Sequence, residues 1–217
     1  MKMKKLVVVL AACAVLPVVA SADIHVTYGG AAAVGGGLTT SVPGAVVDTF
    51  SGSRPGWTYA GDGNITIHSA TNSHATPWGD TTAYFCLPAV DGSQIPPASV
   101  FVSGFGSDQN YLGLYWGSVD SYNRITFYDG DQVVDSFAGA AITSPQEPDG
   151  NWVGSDTNKY VNFLFTDGTT FDKIELYTSG IAFELDNLAI ARVPVPGAVL
   201  LGFLGLGAAG MRLRKRV

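Results

Sequence analysis

Arg124-Ile125-Thr126-Phe127-Tyr128-Asp129-Gly130-Asp131-Gln132-Val133-Val134-Asp135-Ser136-Phe137 carries the pattern that decides the fold. Ile125 and Phe127 share one side of an alternating run, Asp129-Gly130-Asp131 turns the chain, and residues 132–137 return as the partner. A period of two suits a strand with one face buried. Asp-Gly between two such runs marks a hairpin, because its residues tolerate positive φ. The same turn accounts for Asp129, Asp131 and Asp135, whose spacing lacks the third alternating ligand and distal glutamate of an EF-hand loop.

Further strands are predicted on both sides of this hairpin. Upstream, Ser99–Phe105 alternates, and Tyr111-Leu112-Gly113-Leu114-Tyr115-Trp116 puts Leu112, Leu114 and Trp116 on one side. Downstream, Pro145, Pro148, Gly150 and Gly154 make 144–156 a long loop; Tyr160–Phe165 and Phe171–Tyr177 then read as strands around an Asp167-Gly168 turn. In Ile181–Ile190 the parity changes: Ile181, Phe183 and Leu185 share a face that Leu188 and Ile190 do not, which predicts a bulge at Asp186-Asn187. Ala83–Leu87 reads as another strand with Cys86 as a packed thiol, and Val46–Phe50, Trp57–Tyr59 and Ile65–Ile67 give weaker strand patterns. Residues 23–45, centred on the glycines of 29–37, read as a flexible Gly/Ala-rich lead-in; no Gly-Lys-Ser/Thr follows, so it is no phosphate-binding loop. Short strands between Gly, Pro and Asp turns, with no helical period in the body, predict an all-β antiparallel sandwich, jelly-roll-like, over 46–192.

The ends have a different character. Lys2, Lys4 and Lys5 precede an apolar run from Leu6 to Ala20, and Ala20-Ser21-Ala22 follows, the order of a signal peptide (1–22) cut after Ala22 by signal peptidase. Pro17 and the shortness of the run argue against an anchor, and the Leu10-Ala11-Ala12-Cys13 lipobox-like stretch follows a very short apolar run. At the other end (193–217), Val193-Pro194-Val195-Pro196-Gly197 precedes an apolar, glycine-rich helix and a basic stop of Arg212, Arg214, Lys215 and Arg216. The basic cluster keeps that end cytoplasmic, so the body lies outside the membrane. The apolar run would reach about 20 Å at 1.5 Å per residue, thin for a permanent anchor.

This three-part tail resembles the PEP-CTERM sorting signal, with Val195 where that family usually has glutamate. The resemblance implies an exported protein, held briefly in the inner membrane, processed by an exosortase-like membrane protease and delivered to the cell surface or extracellular matrix. Tyr111–Ser118 and Ala182–Ala189 also resemble the ectodomains that precede such tails.

Between the ends, residues 23–193 hold five basic and eighteen acidic residues, a charge of about −13. That charge repels phosphate backbones and disfavours nucleic acid as a partner, while it attracts divalent cations. Glu184, Asp186 and Asn187 are candidate ligands of a structural Ca2+, the two carboxylates being two apart on one strand. The alternative for them is a solvated outer face. Trp57, Trp78, Tyr115, Tyr122 and Trp152 are candidates for stacking on the sugars of an extracellular polysaccharide. No catalytic constellation is expected: His25, His68 and His74 are scattered, and no nucleophile elbow or His-x-x-x-His pattern occurs. The rival classes are a glycan hydrolase, which needs paired carboxylates such as Glu175 and Glu184, an ice-binding protein, which needs a flat Thr-rich face, and a permanently tail-anchored periplasmic domain.

Overall fold

The computed structural model of the protein describes residues 23–66, 74–106, 108–142 and 150–194. In chain order the elements are β1 (Ile24–Tyr28), β2 (Ala31–Ala32), β3 (Leu38–Thr39), β4 (Val46–Asp48), β5 (Thr58–Gly61), β6 (Asn64–Thr66), β7 (Tyr84–Leu87) and β8 (Ala98–Ser103). They continue with β9 (Tyr111–Gly117), β10 (Asn123–Asp129), β11 (Gln132–Ala138), α1 (Gly139–Ile142), β12 (Lys159–Phe165), β13 (Lys173–Thr178) and β14 (Phe183–Ala191).

The fold is sandwich-like and all-β, with antiparallel pairing throughout the described strands. One sheet runs β1-β12-β9-β14-β7-β6 with β4 also on β14, a second runs β11-β10-β13-β8-β5, and β2 pairs with β3. Alternation explains why the two sheets pack together. Leu112, Leu114, Trp116, Phe163, Phe165, Phe183 and Leu185 of the larger sheet meet Val100, Val102, Ile125, Phe127, Ile174 and Leu176 of the smaller in one buried cluster. Trp116 stacks on Phe183 at 4.5 Å, while Phe127 meets Phe163, Phe165 and Phe171 edge-on. Removing such side chains from water is the main favourable term in folding.

The hairpin over 123–138 forms as its sequence predicts, Asp129 pairing with Gln132. So does the bulge in β14, where the register against β9 shifts between Asp186 and Ala189 and Asn187 takes a φ of 50°. Asparagine tolerates that left-handed conformation better than most residues. The extra residue returns Leu188 and Ile190 to the inner face beside Phe183 and Leu185, so one strand keeps an apolar inside despite its broken parity.

Three expectations are corrected. Residues 23–45 are not merely a lead-in: β1 pairs with β12 over five residues, from Ile24 opposite Phe165 to Tyr28 opposite Val161, so the sheet begins before residue 46. Ile24 and Val26 pack on the core, the alternation of an edge strand. A short helix, α1, follows β11 and buries Ile142, although no helix was expected in the body. The outer face of β9 and β14, finally, is covered rather than solvated. Val42, Ala45 and Val47 pack on Tyr111, Ala189 and Ala191, and the Thr40 hydroxyl lies 2.7 Å from that of Tyr111. The segments expected to form signal and tail helices fall outside the described residues, and among the described residues no helix is long and apolar enough to cross a membrane.

Candidate functional site

Because the outer face of β14 is covered, its polar residues lie inside the protein. Glu184, Asp186 and Asn187 are 2 %, 0 % and 5 % exposed. The structure divides this trio between two neighbourhoods. Glu184 Oε1 accepts the Ala75 N–H at 3.0 Å on the side facing Asp120. Asp186 instead faces the loop that carries Asp80 and Thr82. Asn187 turns at the bulge and donates its amide to the Leu38 carbonyl at 3.1 Å. Among the described residues no three His, Cys, Asp or Glu side chains gather as a metal set.

Asp80 is the residue that sequence reasoning missed. It is buried, and its Oδ1 accepts the Thr82 N–H and the Thr82 hydroxyl, each at 2.8 Å. Its Oδ2 is buried with no hydrogen-bond partner, as is Glu184 Oε2. The glycine turn before β3 reaches this loop directly: Gly36 bridges to Asp80, and Gly37 has a φ of 67°. A Cβ on Gly37 would lie 2.7 Å from the Tyr115 ring and 3.3 Å from Asp80 Cβ, so only glycine fits there.

Burial dominates the electrostatics. It pushes Glu184 up to about 8 and Asp186 up to about 9, with the nearby Asp80 adding to the rise at Asp186. Tyr115 is raised to about 12, again by burial first and by Asp80 second. Asp48 makes the contrast. It is equally buried, but Arg54 grips it with Nε at 2.9 Å and Nη2 at 2.6 Å, and the Tyr59 hydroxyl and Phe50 N–H complete its shell. No ion pair to Asp80, Glu184 or Asp186 exists among the described residues. Cys86 is a free, buried thiol on β7, raised well above its usual range by burial.

No protein-family model matches the chain, and no curated protein matches it.

The stacking candidates divide as well. Tyr115 is corrected: it is 3 % exposed, and its hydroxyl donates to the Trp78 carbonyl at 2.5 Å, so a sugar has no access to its ring. Trp57 is half-buried against Phe105, and Tyr122 spends its hydroxyl on the Ile181 carbonyl at 2.6 Å. Trp78 and Trp152 remain, 47 % and 50 % exposed. Asn158 joins their loops: its Oδ1 accepts the Trp78 N–H at 3.0 Å, and its Nδ2 donates to the Asn151 and Gly154 carbonyls at 3.2 and 2.9 Å. Glu175 and Glu184 do not pair. Glu175 points outward from β13 to the Tyr128 hydroxyl, on the sheet opposite the one that buries Glu184.

Of the expected sorting motif, Val193 and Pro194 are described; Ala20, Ala22, Val195, Pro196, Gly197, Arg212, Arg214, Lys215, Arg216 and also His68 lie outside the described residues. The Val193 N–H donates to Asn110 Oδ1 at 2.7 Å, and its carbonyl accepts Asn110 Nδ2 at 2.9 Å.

Proposed function

We propose that this chain is an exported surface or extracellular-matrix protein, cut from its signal peptide by signal peptidase and held briefly in the inner membrane by its tail. An exosortase-like membrane protease then releases it at the Val193–Gly197 motif. The observation that carries this reading is the fit of the fold between the two cuts. β1 starts at Ile24, just after Ala22, and the Asn110 contacts to Val193 close the domain at the first residue of the motif. Neither cut removes a described strand, so the released body keeps the core of the described residues.

The test is the intact mass of the protein recovered from its native host, beside a variant carrying Pro194→Ala and Pro196→Ala. Loss of residues 1–22 and of the tail, with tail loss abolished in the variant, supports sorting and release. A mature protein that keeps its tail identifies a permanently anchored domain instead.

For the body we propose polysaccharide binding without turnover, on a sandwich of jelly-roll-like winding. The exposed pair Trp78 and Trp152, on loops that one asparagine joins, supports it. Indole faces stack on sugar rings, and a strongly acidic body favours neutral glycans over anionic ones. A glycan array probed with the wild type and with Trp78→Ala tests this. Turnover of labelled polysaccharide would favour the hydrolase reading, and thermal hysteresis the ice-binding one.

A further inference from the structure

The carboxyl groups of Asp80 and Asp186 lie against one another in a buried site, and among the described residues neither has an ion pair. Between them stands the Thr82 hydroxyl, 2.8 Å from Asp80 Oδ1 and 2.9 Å from Asp186 Oδ2. A hydroxyl has one proton and can donate to one of these oxygens only. Asp186 Oδ1 is engaged by the Asn187 N–H at 2.6 Å and Asp186 Oδ2 by the Asn187 side-chain amide at 3.5 Å, while Asp80 Oδ2 accepts no hydrogen bond from any described residue other than Asp186. Both Thr82 donors reach the same oxygen, Asp80 Oδ1, so Asp80 Oδ2 is left over, and a buried acceptor without a partner is costly. Asp48 shows how the same fold treats a buried carboxylate that needs only a cationic side chain: it supplies Arg54.

From these contacts we propose that Asp80 and Asp186 form a binding site for a hard divalent cation, with calcium as its natural size class. Asp80 Oδ2, an Asp186 oxygen and the Thr82 hydroxyl supply the side-chain ligands. Main-chain oxygens of the adjoining glycine turn and water complete the six to eight oxygens that calcium takes. Two carboxylates neutralise the ion's charge. The ion would tie three separate pieces of chain together: the glycine turn before β3, the loop after Pro77, and the bulge of β14. Glu184, although only two residues from Asp186, belongs to the other neighbourhood and is no ligand. This inference does not depend on how the chain is sorted.

The experiment uses the full chain in detergent micelles, stripped with chelator and titrated calorimetrically with Ca2+ and, separately, with Mg2+. One Ca2+ per chain is expected, with Mg2+ much weaker. Asp80→Asn and Asp186→Asn should each weaken Ca2+ by about 100-fold or more, while Glu184→Gln binds like the wild type. If an Asn variant does not fold, amide exchange on the wild type decides the question. Calcium should protect the Thr82 and Asn187 N–H groups, which donate to the two carboxylates. Absence of binding at millimolar Ca2+, binding abolished by Glu184→Gln but not by Asp80→Asn, or protection that spares Thr82 and Asn187 would each overturn the site. In the first case the two carboxyl groups share a proton instead.

Discussion

Asn110 holds Val193 by both of its backbone groups, accepting from the N–H at 2.7 Å and donating to the carbonyl at 2.9 Å. Its own main chain bonds Ala191 and Phe165, so it fastens the end of β14 to the start of β9 and the end of β12. Replacing Asn110 by Ala leaves the half-buried N–H and carbonyl of Val193 without partners and should cost about 1–2 kcal/mol. Chemical denaturation measures that loss. Amide exchange should also quicken at Val193 while the centre of β9 stays protected, because the damage is local to the clamp.

Gly113 occupies a place in β9 where two tyrosines converge. A Cβ there would lie 2.4 Å from the Tyr111 hydroxyl and 2.6 Å from the Tyr160 hydroxyl. The hydroxyls cannot retreat freely, since Tyr111 is bonded to Asn162 at 2.7 Å and Tyr160 to the Asn187 carbonyl at 3.1 Å. Gly113→Ala should therefore destabilise by about 1–3 kcal/mol, the range for overpacking a well-filled interior. Adding Tyr160→Phe should recover part of that loss; thermal melts of the two variants that superimpose would count against the clash.

Arg54 is the counter-charge of a fully buried aspartate. Removing it leaves Asp48 with the Tyr59 hydroxyl and the Phe50 N–H but no cation. Breaking a wholly buried pair costs about 3–5 kcal/mol. Here the arginine side chain is 31 % exposed, so water compensates in part and Arg54→Ala should cost nearer 2 kcal/mol. Arg54→Ala combined with Asp48→Asn should be less harmful than the sum of the two single changes. Additive losses in a denaturation series would show that the pair is not coupled.

The strands legible in the sequence were those whose alternation is uninterrupted. Ile125 and Phe127 inward, then Asp129-Gly130 as a turn, leave little choice, and the broken parity of β14 signalled its bulge just as clearly. β1 carries the same signal in Ile24 and Val26, but the glycines that follow it have the composition of a flexible segment. The candidate site was harder to read because its geometry depends on partners far away in sequence. Alternation puts Tyr115 on the outer side of β9, and nothing local says that the loop carrying Trp78 will cover it. Asp186 was visible as an acid on the last strand. Asp80, its partner from 106 positions earlier, sits in a loop without periodicity and gave no signal of its own.

Trp78 and Trp152 are held in place by Asn158 rather than by their own indoles, and that separates binding from stability. Each indole is about half exposed, so Trp78→Ala and Trp152→Ala should shift the melting temperature very little. Asn158 bonds the Trp78 and Ser118 N–H groups and the Asn151 and Gly154 carbonyls, so Asn158→Ala strips four contacts and should cost about 2 kcal/mol or more. On a column of immobilised neutral polysaccharide, all three variants should elute ahead of the wild type. The tryptophan variants should do so with unchanged melts, because a stacking residue contributes to the complex and not to the fold. Tryptophan variants retained like the wild type would assign both indoles to the surface alone and move the search for a glycan contact to another face of the sandwich.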